Sequence, residues 1–236
     1  MIGAPNDAIA FVKNTSEALS FVAYGIDWHP GDVVIITNMI PTATPNETVY
    51  IENVNKSNQQ SVFRANSLTR TWLTYGLQDI DDVIYLEDTN FTIDSSEFSK
   101  PIKIHGSPWQ PNFYDWAFNL PRMGDEIKGK WDMIPDDTDI LITHGPPQEI
   151  RDFVSNWRQG DMNVGCEILR YQLENRITPS LHIFGHIHGA YGAALIKDTL
   201  YVNASTCTER YVPSNKPIVV DLNEYDGQII ATYLNE

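Results

Sequence analysis

Two imidazoles one residue apart, His186 and His188, stand between glycines in the run Gly185-His186-Ile187-His188-Gly189, directly after the apolar stretch Leu181–Phe184. Imidazole is the commonest neutral metal ligand. A glycine on either side lets the backbone turn tightly and come close to a ligand. The loop therefore reads as half of a metal site. A third imidazole, His144, lies in Thr143-His144-Gly145-Pro146-Pro147, again directly after an apolar run, Asp139–Thr143. Two other histidines, His105 and His182, fall inside strand-like runs and read as structural.

Positioning these groups requires strands that end at the same edge. Asp139–Thr143 and Leu181–Phe184 are short apolar runs of the kind that form buried strands. Between them, 162–177 carries Cys166, Leu169 and Leu173 on one helical face, so a helix is expected there. A helical crossover makes the two strands parallel and puts both histidine loops at their carboxyl ends, where open α/β sheets bind ligands. His144, His186 and His188 then converge.

Earlier in the chain, strands are expected at 32–37, 48–51, 83–86, 91–93 and 101–105. A helix is expected over 61–75, where Val62, Phe63, Leu68, Trp72 and Leu73 approach helical spacing. After the second histidine loop, 199–202, 217–221 and 229–233 read as closely spaced strands. The aromatic cluster from Trp109 to Trp116 reads as packing under a loop. This order predicts an α/β sandwich with a mixed sheet, formed by 236 residues as a single domain.

Composition narrows the function. Lys and Arg number 16 against 31 Asp and Glu, a formal net charge of −15 with no basic cluster, which argues against a nucleic-acid partner. A small anionic substrate stays compatible with this charge, because a bound cation reverses the local field. Cys166 and Cys207 are widely spaced and read as free buried thiols. No apolar run is long enough for a membrane span, and the N-terminus lacks the features of a secretory signal, so a cytoplasmic location is expected. Five Asn-x-Ser/Thr sequons, beginning at Asn14, Asn46, Asn55, Asn90 and Asn203, are read as chance products of an Asn/Ser/Thr-rich chain.

Several separate stretches, in order, carry a family resemblance: His105–Trp109, Ala117–Arg122, Trp131–Pro135, Asp139–Pro147, Leu181–Gly192 and Asn203–Cys207. Together they resemble the calcineurin-like metallophosphoesterases, and within them the MPPED subfamily, across residues 81–222. The resemblance implies a four-layered α/β sandwich with mixed sheets. It also implies hydrolysis of phosphate esters at two adjacent divalent transition metals (Mn, Fe or Zn). By the same resemblance His144 and His186 would bind one metal and His188 the other.

Residues 1–80 are divergent. A two-metal site needs a shared carboxylate to offset the repulsion of its cations, and the family supplies it from a Gly-Asp after the second strand. This chain reads Asn38-Met39 at that point, and thioether sulfur is a poor ligand for hard cations. The family's Gly-Asn-His has its nearest match in Glu52-Asn53-Val54, where Asn53 could ligate but no histidine follows to move a proton. Asp27 and His29, in Gly25-Ile26-Asp27-Trp28-His29, are candidates for the Asp-x-His ligands, against a plain loop reading.

Two functions follow as expectations. The first is a metallophosphoesterase-fold protein impaired or inactive in catalysis, holding one weak metal or none, and acting as a scaffold, binding module or subunit of a larger complex with a protein partner. The alternative is an active metal-dependent phosphodiesterase that works with one metal or a rearranged pair on a phosphate-ester substrate.

Overall fold

The computed structural model describes residues 83–113, 118–155, 160 and 162–234, together with the backbone of four short strands nearer the N-terminus. Those four are β1 (Ile9–Ala10), β2 (Val34–Ile36), β3 (Val49–Val54) and β4 (Gln60–Ala65). Then come β5 (Val83–Tyr85), β6 (Thr89–Ile93), β7 (Ile102–Ser107), β8 (Gln110–Pro111), β9 (Asn119–Leu120) and helix α1 (Asp125–Asp132). Strand β10 (Ile140–Thr143), the small hairpin β11 (Phe153–Val154) and β12 (Met162–Asn163), and helix α2 (Glu167–Asn175) follow. The chain continues through β13 (Leu181–Phe184), a 3-10 turn (His188–Ala190), β14 (Gly192–Ile196), β15 (Thr199–Asn203), β16 (Val219–Tyr225) and β17 (Gln228–Tyr233).

Six strands form the central sheet, in the order β14-β15-β13-β10-β7-β6. Its inner four, β15, β13, β10 and β7, run parallel, and the edge strands β14 and β6 run antiparallel to their neighbours. Parallel strands need crossovers, and α1 and α2 supply them between β7 and β10 and between β10 and β13. All residues of β10, β13 and β15 are buried, as expected of strands covered on both faces.

Alternation along these strands divides the core. Ile104, Ile140, Ile142, Leu181, Ile183, Leu200 and Val202 face the C-terminal sheet and meet its Val220, Ile229 and Ala231. That sheet, in the order β1-β16-β17, is antiparallel. On the opposite face Leu141, Phe184 and Tyr201 pack against Ile127 and Trp131 of α1 and Leu169 and Leu173 of α2. The molecule is thus an α/β sandwich with a mixed central sheet, and the described residues account for a helical layer, these two larger sheets and four two-stranded pairs.

Two expected elements differ. Residues 61–65, expected to begin a helix over 61–75, belong instead to the strand Gln60–Ala65, paired antiparallel with Val49–Val54; residues 66–75 lie outside the described ones. Val62 and Phe63 are strand formers by propensity, and a neighbouring strand with open hydrogen-bonding groups overrides a weak helical spacing. The helix expected from Met162 starts at Glu167, because Met162–Asn163 pairs with Phe153–Val154. The Cys166 side chain then caps the helix by accepting from Leu169 N at 3.5 Å. Helix α1 is absent from the expectations: only Ile127 and Trp131 of its eight residues are buried, too sparse a stripe to recognise.

Candidate functional site

Register decides which groups meet. Strands β10 and β13 pair Ile140 with Leu181 and Ile142 with Ile183. The ladder continues past the strand ends, where Gly185 N donates to His144 O at 3.2 Å. The chain then turns sharply: His186 has φ +70°, a left-handed conformation uncommon for a residue other than glycine. This turn brings His186 back over the neighbouring loop. His144 Nε2 and His186 Nδ1 lie 3.1 Å apart, with ring centroids at 4.7 Å and planes inclined by 48°.

That separation has a simple chemical reading. Two nitrogens bound to one metal at about 2.1 Å, with an angle of roughly 90–109° between the bonds, are themselves about 3.0–3.4 Å apart. The pair is spaced as two ligands of one ion. Without an ion the same geometry is a hydrogen bond in which one ring donates and the other accepts. His144 is buried and His186 half-buried, and the edge of Phe113 meets His186 with centroids 4.9 Å apart.

His188 takes another direction. It opens the 3-10 turn, half-buried, with its ring edge-on to Tyr211 at 5.0 Å between centroids. Across this turn the Glu209 carboxylate lies against Gly189 where a side-chain carbon would be. Among the described residues, no group of three or more His, Cys, Asp or Glu side chains could hold a metal ion. The structure therefore brings together His144 and His186, with His188 facing the Tyr211 side of the loop. Asp27, His29 and Asn38-Met39 lie outside the described residues. Asn53 sits in β3, where its backbone pairs with Ser61.

The two remaining histidines of the described region support the sheet beneath the site. His105 Nδ1 lies 2.7 Å from Asn90 Oδ1, an acceptor, so Nδ1 carries the proton. Thr143 Oγ1 donates to Gly145 O at 2.8 Å, leaving its lone pairs for His182 Nε2 at 2.9 Å, which must donate. The nitrogens left without partners, His105 Nε2 and His182 Nδ1, are thus the unprotonated ones. Burial pushes both rings strongly toward neutrality: His105 is lowered to about 4, with the Asp88 carboxylate opposing weakly, and His182 to about 3. The His182–Thr143–Gly145 chain closes the backbone around His144.

Further supports were not legible as such in the sequence. Asp152, buried, accepts from Glu149 N and Gly165 N, each at 2.9 Å, and folds the loop after His144 onto the start of α2. Arg122 reaches the same point, donating to Gly165 O at 2.6 Å and Val164 O at 2.9 Å and pairing with Glu167 at 3.0 Å. Asn203, fully buried at the end of β15, donates to Ile187 O at 2.8 Å and Arg151 O at 3.1 Å. Its sequence signals, a sequon read as chance and membership of the Asn203–Cys207 stretch, name no partner.

Of the aromatic cluster from Trp109 to Trp116, Tyr114 and Trp116 lie outside the described residues, and Trp109 packs as the sequence suggests. Its Nε1 donates to half-buried Asp88 at 2.8 Å, Phe118 meets it edge-on at 5.4 Å, and Lys130 Nζ lies over its ring at 4.4 Å. Ser107 Oγ and Lys130 Nζ, each at 2.7 Å, complete the Asp88 shell. No helix among the described residues is long and apolar enough to cross a membrane.

No family model matches the chain. Individual proteins do. Metallophosphoesterase domain-containing protein 1 of Homo sapiens and its Mus musculus counterpart are each 48% identical to it over 143 residues, covering 61% of this chain and 41% of theirs. A UPF0046 protein of Caenorhabditis elegans is 36% identical over 143 residues, 33% of its own length. The chain spans less than half the length of these curated relatives. Across the 61% of its length so matched, the chain is a relative of the MPPED-type metallophosphoesterase-domain proteins.

Proposed function

We propose that this chain is a metallophosphoesterase-type protein that holds one divalent transition metal (Mn, Fe or Zn) between His144 and His186. We further propose that it is impaired as a phosphate-ester hydrolase and serves as a binding module or subunit of a larger assembly. The observation that supports the metal is the 3.1 Å approach of His144 Nε2 to His186 Nδ1, the spacing of two ligands on one ion. A bound metal in such a site polarises a phosphoryl oxygen and lowers the pKa of a coordinated water.

The chain's own residues supply the rest of the reading. His144 and His186 present ring nitrogens on backbone held by the sheet ladder and by the Thr143–Gly145 turn. His188, Asp27, His29 and Asn53 are the candidates to extend the ligand set. Impairment is argued from the sequence: Asn38-Met39 stands where the resemblance calls for a bridging carboxylate, and Val54 where it calls for a proton-transferring histidine. Loss of general acid assistance alone costs about 10²–10⁴-fold in rate.

The test uses the purified full chain. Elemental analysis is expected to find up to one equivalent of transition metal, which disappears in both His144→Ala and His186→Ala. Hydrolysis of a bis-aryl phosphate with added Mn²⁺ is expected to stay at background. Metal content that both variants retain overturns the site. Hydrolysis above background that His144→Ala abolishes overturns the impairment and establishes the active phosphodiesterase instead.

A further inference from the structure

Both histidine loops converge on a single side chain. Asn203 closes β15, in parallel register with β13 so that it lies beside Phe184, the residue from which the second histidine loop departs. Its Nδ2 donates to Ile187 O at 2.8 Å, the carbonyl between His186 and His188, and to Arg151 O at 3.1 Å, in the loop that follows His144. Its Oδ1 accepts from Ser205 N at 3.1 Å and Ser205 Oγ at 2.7 Å. Two donated and two accepted bonds leave a buried amide no freedom to rotate. We propose that Asn203 is the positioning residue of the histidine pair: one carboxamide ties both loops together and so sets the separation of His144 Nε2 and His186 Nδ1.

The chemistry of the position is restrictive. Aspartate has the same shape and still accepts from Ser205, but it would aim a carboxylate at two carbonyl oxygens in a site that excludes water. Arg151 makes a second link between the loops, its guanidinium donating to Tyr191 O at 3.4 Å and to Ala193 O. That link falls beyond the 3-10 turn, on the far side from His186, so it holds the loops in register without setting the ring separation. The inference concerns the site of the proposed metal, yet it stands on contacts that exist without one.

The decisive measurement is made on metal-free protein. Long-range ¹H–¹⁵N spectra of the His144 and His186 rings are expected to change in Asn203→Asp and Asn203→Ala, and to stay as in wild type in Ser205→Ala, which keeps both donated bonds. Co²⁺ affinity should fall about 10–100-fold in the Asn203 variants, the usual consequence of losing a group that orients a ligand. Folded Asn203 variants with lower melting temperature but unchanged ring signals would overturn the proposal. If neither variant folds, scalar couplings across the hydrogen bonds from Asn203 Nδ2 to the Ile187 and Arg151 carbonyl carbons in wild type decide it, and their absence refutes it. Wild type that fails to take up Co²⁺ overturns the metal reading, while the ring spectra still judge Asn203.

Discussion

At the scale of single residues, His105 and His182 tie folding to pH. Both are held neutral in the fold, lowered to about 4 and about 3 by burial, whereas in the unfolded chain both titrate near 6.5. Well above pH 6.5 both are neutral in either state and contribute no pH dependence. Below it the unfolded chain takes up protons that the folded one refuses, so stability falls as pH falls. The decline is about 1.4 kcal/mol per pH unit for each proton, and it runs to about pH 4 for His105 and about pH 3 for His182. Urea unfolding at intervals from pH 7 to pH 5 measures this slope. In His182→Phe it should lessen by about one proton; an unchanged slope would show that His182 protonates freely in the fold. Their structural role was legible from their place inside apolar runs. Their tautomers were not, because Asn90 and Thr143 become neighbours only through the strand pairing.

At the scale of elements, the start of α2 depends on a glycine. A Cβ on Gly165 would run into the Pro147 carbonyl and Gln148 N, at 2.7 Å from the latter, and these backbone atoms cannot swing aside. Gly165→Ala is therefore expected to destabilise the protein by about 1–3 kcal/mol through overpacking, read as a shift of the urea midpoint without change in slope. Gly189 gives the contrasting case. There the collision is with the exposed end of Glu209, which can move, so Gly189→Ala should cost far less. Equal midpoint shifts for the two would refute the distinction. Helix α2 itself was legible from the spacing of Cys166, Leu169 and Leu173, but its start was not. The short β11–β12 pairing and the Asp152 and Arg122 contacts that fix it come from residues far apart in sequence.

At the scale of the whole molecule, one buried side chain fastens the helical layer to the central sheet. Trp131 of α1 is 1% exposed, packs with Leu141, Leu169 and Phe184, and donates from Nε1 to Cys166 Sγ at 3.3 Å. Trp131→Ala should cost about 3–5 kcal/mol, a cavity effect of the usual size for an indole. The same denaturant titration measures it, and a loss below about 1 kcal/mol would mean that the helical layer is not bonded to the sheet through this contact. Because domains of this size are stable by only about 5–15 kcal/mol, a loss of that size also lowers the yield of folded protein.

The family relationship and the strand ends that carry His144 and His186 were written in local sequence. Short, mostly apolar runs followed at once by histidines next to glycine are signals that survive without any neighbour. Gln60–Ala65 shows the opposite case, a segment whose helical spacing yields to an available strand partner. The tertiary structure alone decided that His144 and His186 meet at 3.1 Å, that His188 turns to Tyr211, and that Asn203 spans both loops. Those outcomes depend on parallel register and on one left-handed residue, His186. A displacement of either by a few ångströms would separate the rings, and spacing along the chain carries no record of it.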